Sequence, residues 1–146
     1  MRIDGEWSLF SDGATRPVLM AEIAGGDGRN VGLRMLVDSG ADCTVLSADL
    51  LARLNLPSHA PPPDTRIQGI GGECQYVVIH SVLEFKRNDG GPACVRGEFL
   101  ALTDPLATDL SVLGRDVLDN FDLILSRSRG EVLLLAPRHQ YQVTWV

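Results

Sequence analysis

The chain has 146 residues, 45% of them hydrophobic, and its 13 Lys and Arg against 19 Asp and Glu give a formal net charge of −6. That is one domain's worth of chain with enough apolar residues for a real core, so disorder, collagen and coiled coil are poor readings. Lys86 is the one lysine, which argues against a phosphate-neutralising nucleic-acid surface, and runs such as Val132 to Ala136 are far shorter than the ~20 apolar residues of a membrane-spanning helix.

Met1 to Trp7 carry two acids and no apolar stretch, so they are not expected to act as a secretory signal. Residues 1–16 match no motif and are read as an N-terminal extension, with a propeptide-like arm, an extra strand and a disordered segment all open. From Pro17 the chain reads as short strands between glycine turns. Pro17 to Ala24 and Val31 to Val37 flank Gly25-Gly26-Asp27-Gly28, the grammar of a hairpin. Asp38-Ser39-Gly40 then makes a turn, Val45 and Leu46 extend briefly, and Ser47 is expected to cap a helix over Ala48 to Leu54. Leu46, Leu50 and Leu54 recur every four residues, as one buried stripe would. Pro57 ends that helix, and Pro61-Pro62-Pro63 marks an extended connector.

A second hairpin runs from Thr65 to Gln68 through Gly69-Ile70-Gly71-Gly72 and returns over Tyr76 to Phe85. Asn88 to Gly91 turns into a strand over Ala93 to Leu102. Asp104-Pro105 opens a loop, Ser111 to Gly114 is a small strand, and Arg115 to Asn120 is a short helix. Phe121 to Leu125 and Glu131 to Ala136 flank the polar turn Ser126 to Gly130, and Tyr141 to Val146 reads as one more strand. The expected class is all-β with one or two short helices.

Three cysteines, Cys43, Cys74 and Cys94, form no C-x-x-C pair, which indicates neither a disulfide framework nor a zinc site. Free thiols fit a reducing compartment, so a cytoplasmic location is expected, or a soluble part of a longer membrane-anchored protein. His59, His80 and His139 lack metal-ligand spacing, and no metal or cofactor is expected. Cys43 reads as a buried inert thiol, and Ser39 lacks the G-x-S-x-G setting of a serine nucleophile. The acids Asp104, Asp109, Asp116, Asp119 and Asp122 read as a solvated face. Trp7 and Trp145 read as packing or interface residues.

Taken singly, a D-S-G, a glycine-rich hairpin tip and an Arg-Asp pair at a helix start are ordinary structural features. Here Val37 to Leu46 (VDSGADCTVL), Ile67 to Gly72 (IQGIGG) and Val112 to Leu118 (VLGRDVL) follow one another in that order on a strand-rich chain. Together they closely resemble the retropepsin-like aspartic proteases, single-domain enzymes that include the retroviral proteases, over most of Pro17 to Leu125.

The resemblance implies a retropepsin-like barrel with one lobe per chain over residues 17–146. Aspartic peptide hydrolysis needs two carboxylates sharing one proton. The sequence holds one D-[ST]-G, so the second carboxylate must come from a second copy at a twofold axis. The expectation is a homodimeric aspartic endopeptidase acting on peptide or protein substrates, with Asp38 catalytic. Ser39 and Gly40 would support the active-site loop, and Gly40, Ala41, Asp42, Gly69, Ile70 and Gly71 would bind substrate, the last three as a closing flap. Arg115 would form a buried, bidentate structural pair with Asp42. The hairpin Phe121 to Ala136 is expected to pair across the twofold axis. The alternative is a catalytically inactive dimerisation or peptide-binding module on the same fold.

Overall fold

A computed structural model describes residues 1–64, 68–69, 72–107 and 110–136. In chain order the elements are β1 (Arg2–Leu9), β2 (Thr15–Ala24), β3 (Asn30–Val37), β4 (Val45–Leu46), α1 (Ala48–Leu54), β5 (Ser58–His59), β6 (Gln68–Gly69), β7 (Gly72–Glu73), β8 (Tyr76–Lys86), β9 (Pro92–Leu102), β10 (Ser111–Leu113), α2 (Arg115–Leu118), β11 (Asp122–Ser126) and β12 (Glu131–Leu135). The expected strand at Tyr141 to Val146 lies outside the described residues.

Ten strands join in the order β11-β12-β1-β2-β3-β10-β4-β9-β8-β5, and β2 also pairs with β8, which closes the middle of the sheet into a barrel. The closure follows from strand alternation, because successive side chains point to opposite faces. On β3, Leu33, Met35 and Val37 are buried while Arg34 and Gly32 face out; on β2, Leu19, Ala21 and Ile23 point in. Ile79, Leu83 and Phe85 from β8, Phe99 and Ala101 from β9 and Leu113 from β10 complete one core with them. The Leu46, Leu50 and Leu54 stripe is buried as its spacing predicts, and anchors α1 to that core.

α1 corrects one detail. Ser47 stands at its N-cap but makes no side-chain capping bond; it is buried, and its amide donates to Ser111 Oγ at 3.1 Å. The helix stops at Asn55, which takes the left-handed conformation. The Gly26 amide, from the β2–β3 turn, donates to Leu54 O at 2.8 Å, satisfying a carbonyl that a helix end leaves open.

Of the three alternatives for the N-terminal residues, the structure has the extra strand. β1 pairs antiparallel with β12 over Arg2 to Gly5 and with β2 over Glu6 to Leu9. It changes partner at Gly5, where an added Cβ would lie 2.5 Å from Val18 O and 2.9 Å from Val132 Cγ1. Only glycine lets the β2 backbone and the Val132 side chain approach so closely. Trp7 locks the junction, its Nε1 donating to Ser126 O at 3.2 Å and Glu131 O at 3.1 Å while Arg127 stacks over its ring.

The β11–β12 hairpin forms as expected, but within the chain β12 already has β1 on one side and β11 on the other. Its backbone donors and acceptors are spent inside the chain. Among the described residues the hairpin leaves open the outer edge of β11, where Leu125 is 41% exposed.

Candidate active site

Asp38 follows directly on β3, a strand that runs parallel to β10 with Leu113 opposite Val37. The Asp38 amide continues this ladder by donating to Leu113 O at 3.1 Å. The chain then turns. Gly40 N–H donates to Asp38 Oδ1 at 2.9 Å and Ala41 N–H to Asp38 O at 3.2 Å, so the aspartate organises its own loop as a short polar side chain does in a turn. Asp38 is half-buried at the end of the barrel, and Ser39 and Gly40 are exposed. The Ser39 hydroxyl has no hydrogen-bond partner among the described residues.

The rest of the loop is laced to the start of α2. Arg115 N–H donates to Ala41 O at 2.8 Å and Asp116 N–H to Asp42 O at 3.2 Å. The approach requires glycine before the helix, because a Cβ on Gly114 would sit 2.4 Å from Cys43 C and 2.5 Å from its O.

Thr44 closes the clamp. It is 0% exposed; its hydroxyl accepts from Gly114 N–H at 3.1 Å and donates to Asp116 Oδ1 at 2.7 Å, and its amide donates to Asp116 Oδ2 at 2.9 Å. Asp116 is therefore no member of a merely solvated face, since both its oxygens hold the loop. The sequence reading missed both residues. Its available signal was a threonine inside the apolar-leaning run Cys43 to Leu46, where a buried hydroxyl demands partners.

The expected Arg115 pair is present but differs in kind. Arg115 Nη2 contacts Asp42 Oδ1 with the side chains 54% and 77% exposed, so the pair is a surface one rather than buried. Such pairs contribute about 0 to 1 kcal/mol. Cys43 is also corrected, being exposed rather than buried. Its thiol is nonetheless unsuited to nucleophilic work, because partial desolvation, and then the carboxylates of Asp116 and Asp42, push its pKa above the ordinary 9.0. His80 sits exposed on β8 opposite Glu98.

The structure thus gathers Asp38, Ser39, Gly40, Ala41, Asp42 and Arg115 into one loop-and-helix unit. Gly69 pairs with Gly72 in a separate two-stranded ladder of β6 and β7, and Ile70 and Gly71 lie outside the described residues. The model of the aspartyl protease family matches residues 19–117, from β2 into α2. The chain belongs to that family. This family member is similar in structure to the EIAV protease complexed with the inhibitor HBY-793, with 24% identity and a TM-score of 0.50 over 71% of this chain and 86% of that one. It is also similar to a retropepsin-like aspartic protease from Rickettsia conorii, with 14% identity and a TM-score of 0.57 over 92% and 89% of the two chains. The shared architecture is the retropepsin-like fold, mainly β and closed into a barrel. No curated protein matches this one. Among the described residues no helix is long and apolar enough to cross a membrane.

Proposed function

We propose that this family member is a homodimeric aspartic endopeptidase in which Asp38 of each of two copies activates one water. The observation that carries the reading is the Asp38 loop. One aspartate at the end of a barrel strand keeps one carboxylate oxygen on Gly40 N–H and is braced from behind through Thr44, Gly114 and Asp116. Two such carboxylates ~3 Å apart cannot both ionise, so one stays protonated. The ionised one takes a proton from water as it attacks the peptide carbon, and the protonated one donates to the carbonyl oxygen.

In this reading residues 17–146 are the protease domain, and residues 1–16 belong structurally to it through β1. Ser39, exposed and without a hydrogen-bond partner among the described residues, bonds across the twofold axis. Gly40, Ala41 and Asp42 present polar groups to an extended peptide. Gly69, Ile70 and Gly71 belong to a flap that closes over that peptide and excludes bulk water. The dimer interface contains the two Asp38 loops, and the hairpin of β11 and β12 adds the outer edge of β11, which no described strand pairs.

The test is a peptide library incubated with the chain from pH 3 to 8 beside Asp38→Asn. The wild type is expected to cleave peptides and the variant to lose activity by about 10²- to 10⁴-fold, the usual span for removing a general acid or base. Equal activity, or equal inertness, of the two proteins overturns the proposal.

A further inference from the structure

An open cleft of about 480 Å³ lies between the turn after β1 and the outer face of β3, its lining including Phe10, Asp12, Arg16, Arg34, Leu36 and Leu110. The guanidinium groups of Arg16 and Arg34 each lie 5.1 Å from the centroid of the Phe10 ring. Two like charges held on one ring repel each other, and among the described residues only one of them is balanced. Asp12 takes Arg16 in a two-pronged hydrogen bond, 2.9 Å from Nη1 to Oδ1 and 2.6 Å from Nη2 to Oδ2. Arg34 is exposed and has no carboxylate partner among the described residues. Among the described residues the lining carries two cations and one anion, an excess of one positive charge on a chain whose overall charge is −6.

The cleft also has a direction. Arg34 and Leu36 alternate with the buried Leu33, Met35 and Val37 on β3, and Asp38 comes two residues after Leu36. At the usual strand rise, four residues from Arg34 to Asp38 span about 13 Å. An extended peptide covers that length in about four residues.

We infer that this cleft receives an acidic side chain of the substrate, with Arg34 as the cation that selects it, within about four residues of the cleaved bond. The inference rests on the protease reading above. Stacking on Phe10 occupies a face of the guanidinium and leaves its N–H edge for a carboxylate. The acid would balance the charge that Asp12 leaves unbalanced.

The experiment uses paired peptides that carry Glu or Gln at each of the four positions on either side of the cut, and reads the ratio of kcat/KM for Glu over Gln. A ratio is insensitive to how much of a variant is folded. The wild type is expected to favour Glu at one position by about three- to fivefold, the scale of a partly exposed ion pair. Arg34→Gln should bring the ratio to one, Arg34→Glu should invert it, and Asp12→Asn, which frees Arg16, should raise it. A wild-type ratio of one at every position, or a preference that survives Arg34→Gln, overturns the inference. If the wild type cuts no peptide, the protease reading fails by itself. The same labelled pairs are then measured by fluorescence anisotropy, where equal affinity for Glu and Gln peptides, or an Arg34→Gln variant that keeps the difference, overturns the cleft assignment.

Discussion

Thr44 and Asp116 are joined twice: the Thr44 hydroxyl donates to one carboxylate oxygen at 2.7 Å and the Thr44 amide to the other at 2.9 Å. The hydroxyl also accepts from Gly114 N–H, so one buried side chain ties the segment after Asp38 to the helix that follows β10. Thr44→Val keeps the shape and removes the hydroxyl, leaving the Gly114 donor and an Asp116 oxygen without it. Urea unfolding is expected to show a loss of about 1 to 3 kcal/mol, the cost of stranding buried polar groups. A loss within error of zero would mean the clamp is not formed.

The neighbouring ion pair should matter less. Arg115→Ala and Asp42→Ala each remove an exposed partner of the other, and each is expected to cost about 1 kcal/mol or less in the isolated chain. Urea midpoints that fall further for Arg115→Ala than for Thr44→Val would reverse this ranking.

Gly114→Ala should be more damaging than its one methyl suggests. The new Cβ would lie 2.4 Å from Cys43 C and 2.9 Å from Thr44 N, backbone that cannot rotate away. A loss of about 1 to 3 kcal/mol is expected from overpacking, together with a fall in any peptidase activity. An unchanged thermal midpoint would show that the two segments can part at no cost.

Asp12 gives a pH signature. Its hydrogen bonds from Arg16 first and the Ala14 amide second lower its pKa from the ordinary 3.8 to about 2. A lowered folded-state pKa favours the folded chain above pH 3.8, and that advantage fades as the pH falls through about 2. A carboxyl-detected NMR titration should place the Asp12 midpoint near 2 and move it up toward 3.8 in Arg16→Ala. A midpoint already near 3.8 in the wild type would remove the pair from solution.

Cys43 should alkylate slowly. Its raised pKa leaves less thiolate at pH 8 than a cysteine in a short peptide has, and the thiolate is the reactive form. The rate of iodoacetamide capture against pH is expected to show a midpoint above 9.0, lowered in Asp42→Asn because one repelling carboxylate has gone. A midpoint below that of the peptide thiol would contradict the desolvated setting.

Much of the fold was legible because barrel strands obey a two-residue period and glycine-bearing turns separate them. Pro17 to Ala24, Val31 to Val37 and Ala93 to Leu102 predict β2, β3 and β9 to within a few residues. Residues Arg2 to Leu9 resisted, because their burial depends on β12 and β2 as simultaneous neighbours, which no local pattern records. At the candidate site, Asp38, Ser39, Gly40 and the contact of Asp42 with Arg115 could be placed from the order of three motifs. The exposure of that pair could not, since burial depends on the three-dimensional surroundings. Asp116 was misread for a related reason: a carboxylate 72 positions away in sequence from its amide partner Thr44 looks the same as a free one.

Trp7 reaches a carbonyl 124 positions later, at Glu131. A ribosome delivers β1 early and the strand that holds half of it, β12, more than a hundred residues afterwards. During synthesis β1 must wait beside an incomplete barrel with its Arg2 to Gly5 edge unmatched. Truncating the chain before β12 should therefore strand the beginning of the protein as well as its end, and a ribosome-stalling series should show protease resistance arriving late and in one step.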